Sequence, residues 1–349
     1  MKTQHPFIHN KYYFSAKNIL VKRSGYCLLL IILIPFLTRC NITGSWNPLL
    51  KQYPNLKGFG ITGLYANGNH IIAGTSSIGS TSYIFLSVDN GASWEQVDSL
   101  HVDNTSPYTN LVLTTHTSFF GNGTTFFAGI GGGNSGKVLI SADTGKTWTE
   151  TDPGFTENVN CFTMINGTLY AGTGHGVFMT TNNGHNWSAA DTAGLSYPVV
   201  GLVPLPGYLF AATSGEGIYR STDNGTSWKE VFSTNYEFRG LAALSGDIFA
   251  PAFQFPGDTT GGIFVTTDNG ASWKEANNGL TDHTVNTLYS NGSDLFTGTN
   301  NGAYFSLDKG NNWALFDSVS ATSFAVNDSY LFEGTNDGVK HYLLSRFNK

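Results

Sequence analysis

Ser221-Thr222-Asp223-Asn224-Gly225-Thr226-Ser227-Trp228 is one copy of a pattern, S/T-x-D/N-x-G-x-x-W, that returns along the chain. The other copies run from Ser87 to Trp94, Ser141 to Trp148, Thr180 to Trp187, Thr266 to Trp273 and Ser306 to Trp313. Asp89, Asp143, Asn182, Asp223, Asp268 and Asp308 hold the acidic or amide position, and Trp94, Trp148, Trp187, Trp228, Trp273 and Trp313 the aromatic one. A short carboxylate or amide accepts hydrogen bonds from nearby backbone N–H groups, and a glycine two residues on takes a positive φ at no steric cost. Each copy therefore reads as a tight turn, and Asp-Asn-Gly between apolar runs is a hairpin signal. The hydroxyl residue braces the turn, while the Trp opens the next strand as a plug that buries about 150–250 Å².

Between these turns the chain cycles through further strands. One is easy to register: Ile71–Thr75, Phe126–Ile130, Leu169–Thr173, Leu209–Thr213, Ile248–Ala252, Leu295–Thr299 and Leu331–Thr335 are seven apolar runs, most ending in Gly-Thr. Each follows an apolar strand and a turn such as Asn166-Gly167, and precedes a third strand such as Gly217-Ile218-Tyr219. Repeats of roughly 40–55 residues with four strands apiece are the pattern of propeller blades, because no blade buries both faces alone. Seven such runs predict an all-β, seven-bladed β-propeller with four-stranded blades.

The last repeat loses its turn. Aligned on Gly302 to Ser306, the stretch Gly338 to Tyr342 leads to Leu344 at the Asp position and Arg346 at the Gly position. The missing fourth strand is predicted from the other end of the chain, where Trp46-Asn47-Pro48-Leu49-Leu50-Lys51 resembles the strands that begin at Trp94 and Trp273. That strand would complete the seventh blade, close the ring and remove an exposed edge.

The six octapeptides resemble the Asp-box (BNR) repeat of sialidase-like, sortilin-like and photosystem-assembly-factor-like β-propellers. The resemblance spans nearly the whole chain after residue 40. It implies that the boxes are structural turns on the face away from the ligand, and that the loops joining strands 2 to 3, and strand 4 to the next strand 1, form the binding face. The sialidases of this superfamily use three arginines, a Tyr–Glu pair, an acidic proton shuttle and an Arg-Ile-Pro motif. After residue 40 this chain has Arg220, Arg239 and Arg346 alone and no Arg-Ile-Pro, and of the three only Arg239 falls at the binding face. Related xyloglucanases pair two propellers around a cleft, and this chain has length for one. No catalytic residue is assigned, and a glycan-acting enzyme stands as the rival to a binding or assembly scaffold.

Composition narrows the classes further. With 40% hydrophobic residues, 14% aromatic, 42 Gly and 12% charged, the chain is turn-rich and has ample core, unlike a disordered one. The net charge of −6 hides an asymmetry: of 18 Lys and Arg, six lie in residues 1–40, which hold no Asp or Glu. The rest has 12 basic against 24 acidic residues, or −12. An acidic body without a basic run is a poor match for phosphate backbones, so nucleic acid is not expected as a partner. Cys27, Cys40 and Cys161 have neither metal nor redox spacing, and the nine His form no H-E-x-x-H, so neither a metal nor another cofactor is expected. The boxes lack the added oxygens and distant Glu of a calcium loop.

Residues 1–40 are read as an export segment and residues 41–349 as the propeller. The apolar core Cys27–Leu37 is too short for a span of about 20 residues but fits a signal-peptide core of about 7–15. Leu37-Thr38-Arg39-Cys40 resembles a bacterial lipobox, which makes Cys40 the lipidation candidate, although Arg39 departs from the small residue usual there. The expectation is an exported monomer in the cell envelope, lipid-anchored or secreted, whose membrane contact is confined to this segment.

Registering the innermost strands gives a column of Thr62, Asn110, Asn160, Val200, Arg239, Asn286 and Thr322. Strict alternation would point it into the central channel. Asn110, Asn160, Arg239 and Asn286 are therefore ligand-face candidates, together with Tyr108, Tyr197 and Tyr236 from the 4–1 loops. Tyr, Arg and Asn combine contact area with hydrogen bonding at modest entropic cost. The acidic body favours a neutral or basic protein or polysaccharide partner.

Overall fold

The computed structural model describes residues 54–76, 81–101, 117–130, 136–190, 195, 197–234, 236–253 and 261–347. Within them seven antiparallel sheets follow one another along the chain. Blade 1 runs Ile61–Asn67, His70–Thr75, Thr81–Ser87 and Glu95–His101, each strand paired with the one before it. The first strand of every blade packs on the first strand of the next, and that of blade 7, Ala321–Val326, packs on blade 1. This closes the ring of a seven-bladed β-propeller, with Thr322 Oγ1 donating across the junction to Ile61 O at 2.7 Å. Apart from two short 3-10 turns, the described residues hold no helix.

The boxes fold as their chemistry requires. In blade 4, Ser221 Oγ donates to Asp223 Oδ1 at 2.7 Å and accepts from Gly225 N at 2.8 Å, which locks the turn from its incoming side. Asn224 and Gly225 both have positive φ, 56° and 85°, the backbone signature of a type I′ hairpin. Asp223 then reaches forward: Oδ1 accepts from Ser227 N at 2.9 Å and Oδ2 from Ser227 Oγ at 2.6 Å. Ser93, Thr147, Ser272 and Asn312 repeat this double contact in their boxes. The residue before the Trp is thus a specific partner that the octapeptide pattern above leaves as x. In the third box Asn182 accepts at Oδ1 only, from Asn186 N at 3.0 Å, because its amide nitrogen occupies the place of the second carboxylate oxygen.

Each box also locks onto the preceding blade. A Cβ on Gly91 would stand 3.2 Å from the Phe332 ring of blade 7, and one on Gly310 would stand 2.9 Å from Phe249 of blade 5. These glycines therefore do two jobs, left-handed backbone and close approach to a second-strand aromatic. Every box Trp belongs to an apolar cluster shared with the preceding blade. Their burial is unequal: Trp94 and Trp313 are buried, whereas Trp148, Trp187, Trp228 and Trp273 are half-buried. The Trp opens the outermost strand, whose far side is solvent.

The Gly of the second strands has a steric cause too. A Cβ at Gly172 would fall 2.8 Å from Val199 of the next blade, and one at Gly334 would fall 2.7 Å from Ile61. The Thr that follows is buried and ties off the 2–3 turn, as when Thr299 Oγ1 donates to Gly302 O at 3.0 Å.

Blade 7 shows three strands among the described residues, and Trp46 with the rest of its predicted closing strand lies outside them. Residues 54–59 nevertheless run beside the third strand of blade 7. Gly338 N donates to Phe59 O at 2.8 Å, as Gly136 N donates to Thr156 O in the link from blade 2 to blade 3.

Candidate binding face

Alternating turns divide the propeller into two faces. The 1–2 turns and boxes share one: Asn327 Nδ2 of blade 7 donates to Asn90 Oδ1 of blade 1's box, and Arg220 donates to Asn269 O of blade 5's box. Arg220 is thereby confirmed at the box end of its strand. The 2–3 turns and 4–1 links share the other face, where Ser214 N donates to Pro198 O and Asn301 N to Asp282 Oδ2.

The polar column does not line the channel by simple alternation. In blades 1, 3, 4, 6 and 7 the pairing register of the first strand slips by one residue, and Thr62, Asn160, Val200, Asn286 and Thr322 are the extra residues. A bulge leaves its residue outside the ladder and re-aims its side chain. Asn160 Nδ2 accordingly donates to Val199 O of the next blade at 3.1 Å, as Thr322 does to Ile61 O. Asn286 Nδ2 donates to Asn300 Oδ1 in the 2–3 turn of its own blade at 3.0 Å. Asn160 is a blade-to-blade tie, and five members of the column sit at bulges rather than in the strict alternation expected. Tyr108 and Asn110 lie outside the described residues.

Blade 5 departs most from the repeat. Pro251 stands where most other second strands carry Gly, and its missing N–H faces the first strand, since Arg239 N donates to Pro251 O at 3.0 Å. A proline inside a sheet forfeits a ladder bond. Opposite it the first strand is split into Glu237–Phe238 and Ala242–Leu244. Gly240 fills the break against blade 4, where a Cβ on Gly201 would lie 2.6 Å from its carbonyl carbon.

The split delivers Arg239 to the surface. Its guanidinium carbon sits 4.6 Å from the Phe253 ring centroid, and Nη1 lies 3.1 Å from Glu237 Oε1. Glu237 in turn bridges to Ser214 of blade 4, beside Gly215, on which the ring of Tyr197 rests. Tyr197 is exposed and Tyr236 is stacked on Phe264 with centroids 5.2 Å apart. Phe264 meets Phe232 at a tilt, and Phe232 in turn stacks on Trp273. Alongside, Tyr219 donates its hydroxyl to Glu216 Oε2 at 3.1 Å; burial, that bond and the charges of Glu216 and Glu230 push its pKa up to about 12.

Of the predicted face residues, the structure thus joins Tyr197, Tyr236 and Arg239 on the rim of blades 4 and 5, and leaves Asn160 and Asn286 on blades 3 and 6. Sequence reasoning missed Glu237 and Tyr219. The usable signal was Pro251 in a second strand followed by the insert that begins at Phe253. A separate shallow groove of about 230 Å³ lies on the box face between blades 5 and 6, lined in part by Lys274, Asn277, Lys309 and Asn311. Among the described residues no three His, Cys, Asp or Glu side chains are grouped to hold a metal, and no helix is long and apolar enough to cross a membrane.

No family model and no curated protein matches the sequence. Solved structures match the fold. YCF48 bound to D1 peptide superposes with a TM-score of 0.60 at 16% identity, over 86% of this chain and 96% of that one. A GH74 enzyme from Niastella koreensis gives 0.58 at 16% identity, over 82% of this chain and 53% of the enzyme. The extracellular domain assigned to a one-component system of B. thetaiotaomicron gives 0.59 at 13% identity, over 84% of this chain and 39% of that one. The chain therefore spans about half the length of the GH74 enzyme and nearly all of YCF48. At these identities the likeness is one of fold, which hosts many functions.

Proposed function

We propose that this propeller is a binding or assembly scaffold that takes a protein or glycan partner on its loop face, with the rim of blades 4 and 5 as the contact. The observation that carries this reading is the split first strand of blade 5. It places Arg239 at the surface on Phe253, on the same rim as Tyr197 and Tyr236. A guanidinium on an aromatic face and tyrosines with one wet edge are the residue types that dominate recognition surfaces. A peptide-bound propeller and an extracellular domain among the structural neighbours support it. The rival is a glycan-acting enzyme, supported by the GH74 neighbour. Against it, the three arginines after residue 40 do not converge: Arg220 is on the box face, Arg346 lies over Tyr342 beyond the last strand, and Arg239 is paired with Glu237.

Capture of partners from the native envelope, comparing wild type with Arg239→Ala/Tyr236→Ala, tests the reading. Loss of specific partners from the double variant is expected. Retention of all of them, with loss on altering box-face residues, would place the working face on the opposite side. Turnover of fluorogenic glycosides abolished by Arg239→Ala would favour the enzyme instead. The basic leader and the lipobox-like Leu37 to Cys40 support export with lipid attachment at Cys40. Unchanged membrane partitioning of Cys40→Ala would rule that attachment out.

A further inference from the structure

The seam between blades 6 and 7 contains a group that neither the fold nor the proposed binding face uses. Glu333 stands in the middle of the second strand of blade 7, Tyr330–Thr335, where five other blades have Ala and blade 6 has Thr297. Its side chain is fully buried, and Oε1 has no hydrogen-bond partner. Oε2 meets the Tyr342 hydroxyl at 2.7 Å. The same hydroxyl also contacts Asp317 Oδ2, from the fourth strand of blade 6, and Lys340 Nζ is paired with that Oδ2 as well. Asp317 further accepts from Val319 N at 3.0 Å.

A proton count decides the arrangement. A phenol has one proton, yet Tyr342 lies between two carboxyl groups that both need a donor. Asp317 has an ammonium, a backbone N–H and the phenol, and these bonds outweigh its partial burial and hold it below the usual carboxylate range. Glu333 accepts from neither an ammonium nor an N–H, since Lys340 Nζ is bonded to Asp317. The hydroxyl proton therefore goes to Asp317, and the contact between Glu333 and Tyr342 is satisfied only if Glu333 carries a proton and donates it to the phenol oxygen. Burial, helped by the nearby Asp317, outweighs the lowering effect of the Tyr342 contact and of Lys340 and pushes the Glu333 carboxyl up to about 7. The groups facing it are Lys340 and Tyr342 on the third strand of blade 7 and Asp317 on blade 6; Phe324 is its cross-strand neighbour on the first strand. Arg346, from the turn that follows, reaches the far side of Tyr342, with 5.2 Å from its guanidinium carbon to the ring centroid.

We propose that this seam is a pH-sensitive latch: the proton relay from Glu333 through Tyr342 to Asp317 joins blade 7 to blade 6, and ionisation of Glu333 loosens the join. The seam suits such a device because blade 7 has no box turn among the described residues to clamp it onto its neighbour. The sign follows from linkage. The folded carboxyl binds its proton more tightly than the unfolded one, so the stabilisation is fully present below the unfolded value near 4.5 and is lost as pH rises through about 7.

Amide hydrogen exchange on the full chain at pH 6 and pH 8.5, corrected for intrinsic rates, tests the latch. Opening of residues 314–317, 331–334 and 338–347 should increase by about ten-fold between the two pH values, because the folded carboxyl keeps its proton over the unit from pH 6 to about 7 while the opened one is ionised throughout. Blade 3 amides serve as the reference and should show no such change. Glu333→Gln, which keeps the donor and cannot ionise, should abolish the increase. The same pH response in Glu333→Gln, or no difference between the seam and blade 3 in the wild type, overturns the proposal. If Glu333→Gln does not fold, infrared difference spectra of the wild type decide. A protonated carboxyl band at pH 6 that disappears by pH 8.5 and shifts in Tyr342→Phe supports the latch, and its absence at pH 6 refutes it.

Discussion

The junction of blade 7 with blade 1 and that of blade 6 with blade 7 solve one packing problem by different means. At the first, the box glycine Gly91 sits on the Phe332 ring and Trp94 is buried beside it. At the second, Phe296 has the place of Phe332, and blade 7 offers no box among the described residues to pack on it. Instead the chain turns at Leu344–Arg346 and inserts Phe347, buried, with ring centroids 5.5 Å from Phe296, 5.0 Å from Phe305 and 5.2 Å from Phe316. Alongside lies the Glu333–Tyr342–Asp317 relay. A box is a local motif that carries its own hydrogen bonds and works in any blade, whereas the seam works only where the turn at Leu344–Arg346, an aromatic cluster and a buried carboxyl meet. Interchangeable parts are legible as repeats, and single-use parts are not.

The comparison is open to experiment. If the segment ahead of residue 54 supplies the missing outer strand of blade 7, deleting residues 41–53 will lower the thermal midpoint of the whole domain, and a truncated chain that melts like the full one refutes that closure. Trp94→Ala at one junction and Phe347→Ala at the other should each cost about 3–5 kcal/mol in chemical denaturation, the range for truncating a large buried aromatic. Trp228→Ala should cost less, since that Trp is half-buried; equal losses at Trp94 and Trp228 would show that burial does not set the contribution of the plugs.

Two smaller effects probe the boxes themselves. Asn182→Asp supplies the second acceptor oxygen that blade 3 lacks, so Asn186 should engage it as Asn312 engages Asp308, at 2.7 Å. A gain of about 0.5–1.5 kcal/mol is expected at pH 7. The bonds from Ser227 to Asp223 and from Ser272 to Asp268 hold those carboxyls down to about 2. A depressed carboxyl contributes stability that is present above its unfolded value near 3.8 and lost as pH falls toward 2, so the Asn182→Asp gain should vanish on acidification; persistence at pH 2 would contradict the charge-based account. Thr144 has φ 61° at the position where four boxes place Asn, and a β-branched residue is strained there. Thr144→Asn should add about 1 kcal/mol to stability, and a loss would mean that the bond from Thr144 N to Thr124 O depends on the Thr side chain.

The sequence by itself determined the number of blades, the box turns and the aromatic-to-glycine register. Each is enforced by local chemistry repeated six or seven times: an Asx side chain folding back on its own turn, a glycine with φ above zero, a Thr capping its own hairpin. The tertiary structure alone decided three other matters. The polar column was visible as a column, but its bulges were not, because a one-residue slip between strands leaves no mark on either strand read singly. Arg239 stood out by type, yet its exposure depends on Pro251, twelve residues away, withholding an N–H from the facing strand. Glu333 read as one more residue of a regular strand, and only the arrival of Asp317 from the adjacent blade, beside Tyr342, turned it into a buried acid that must keep its proton.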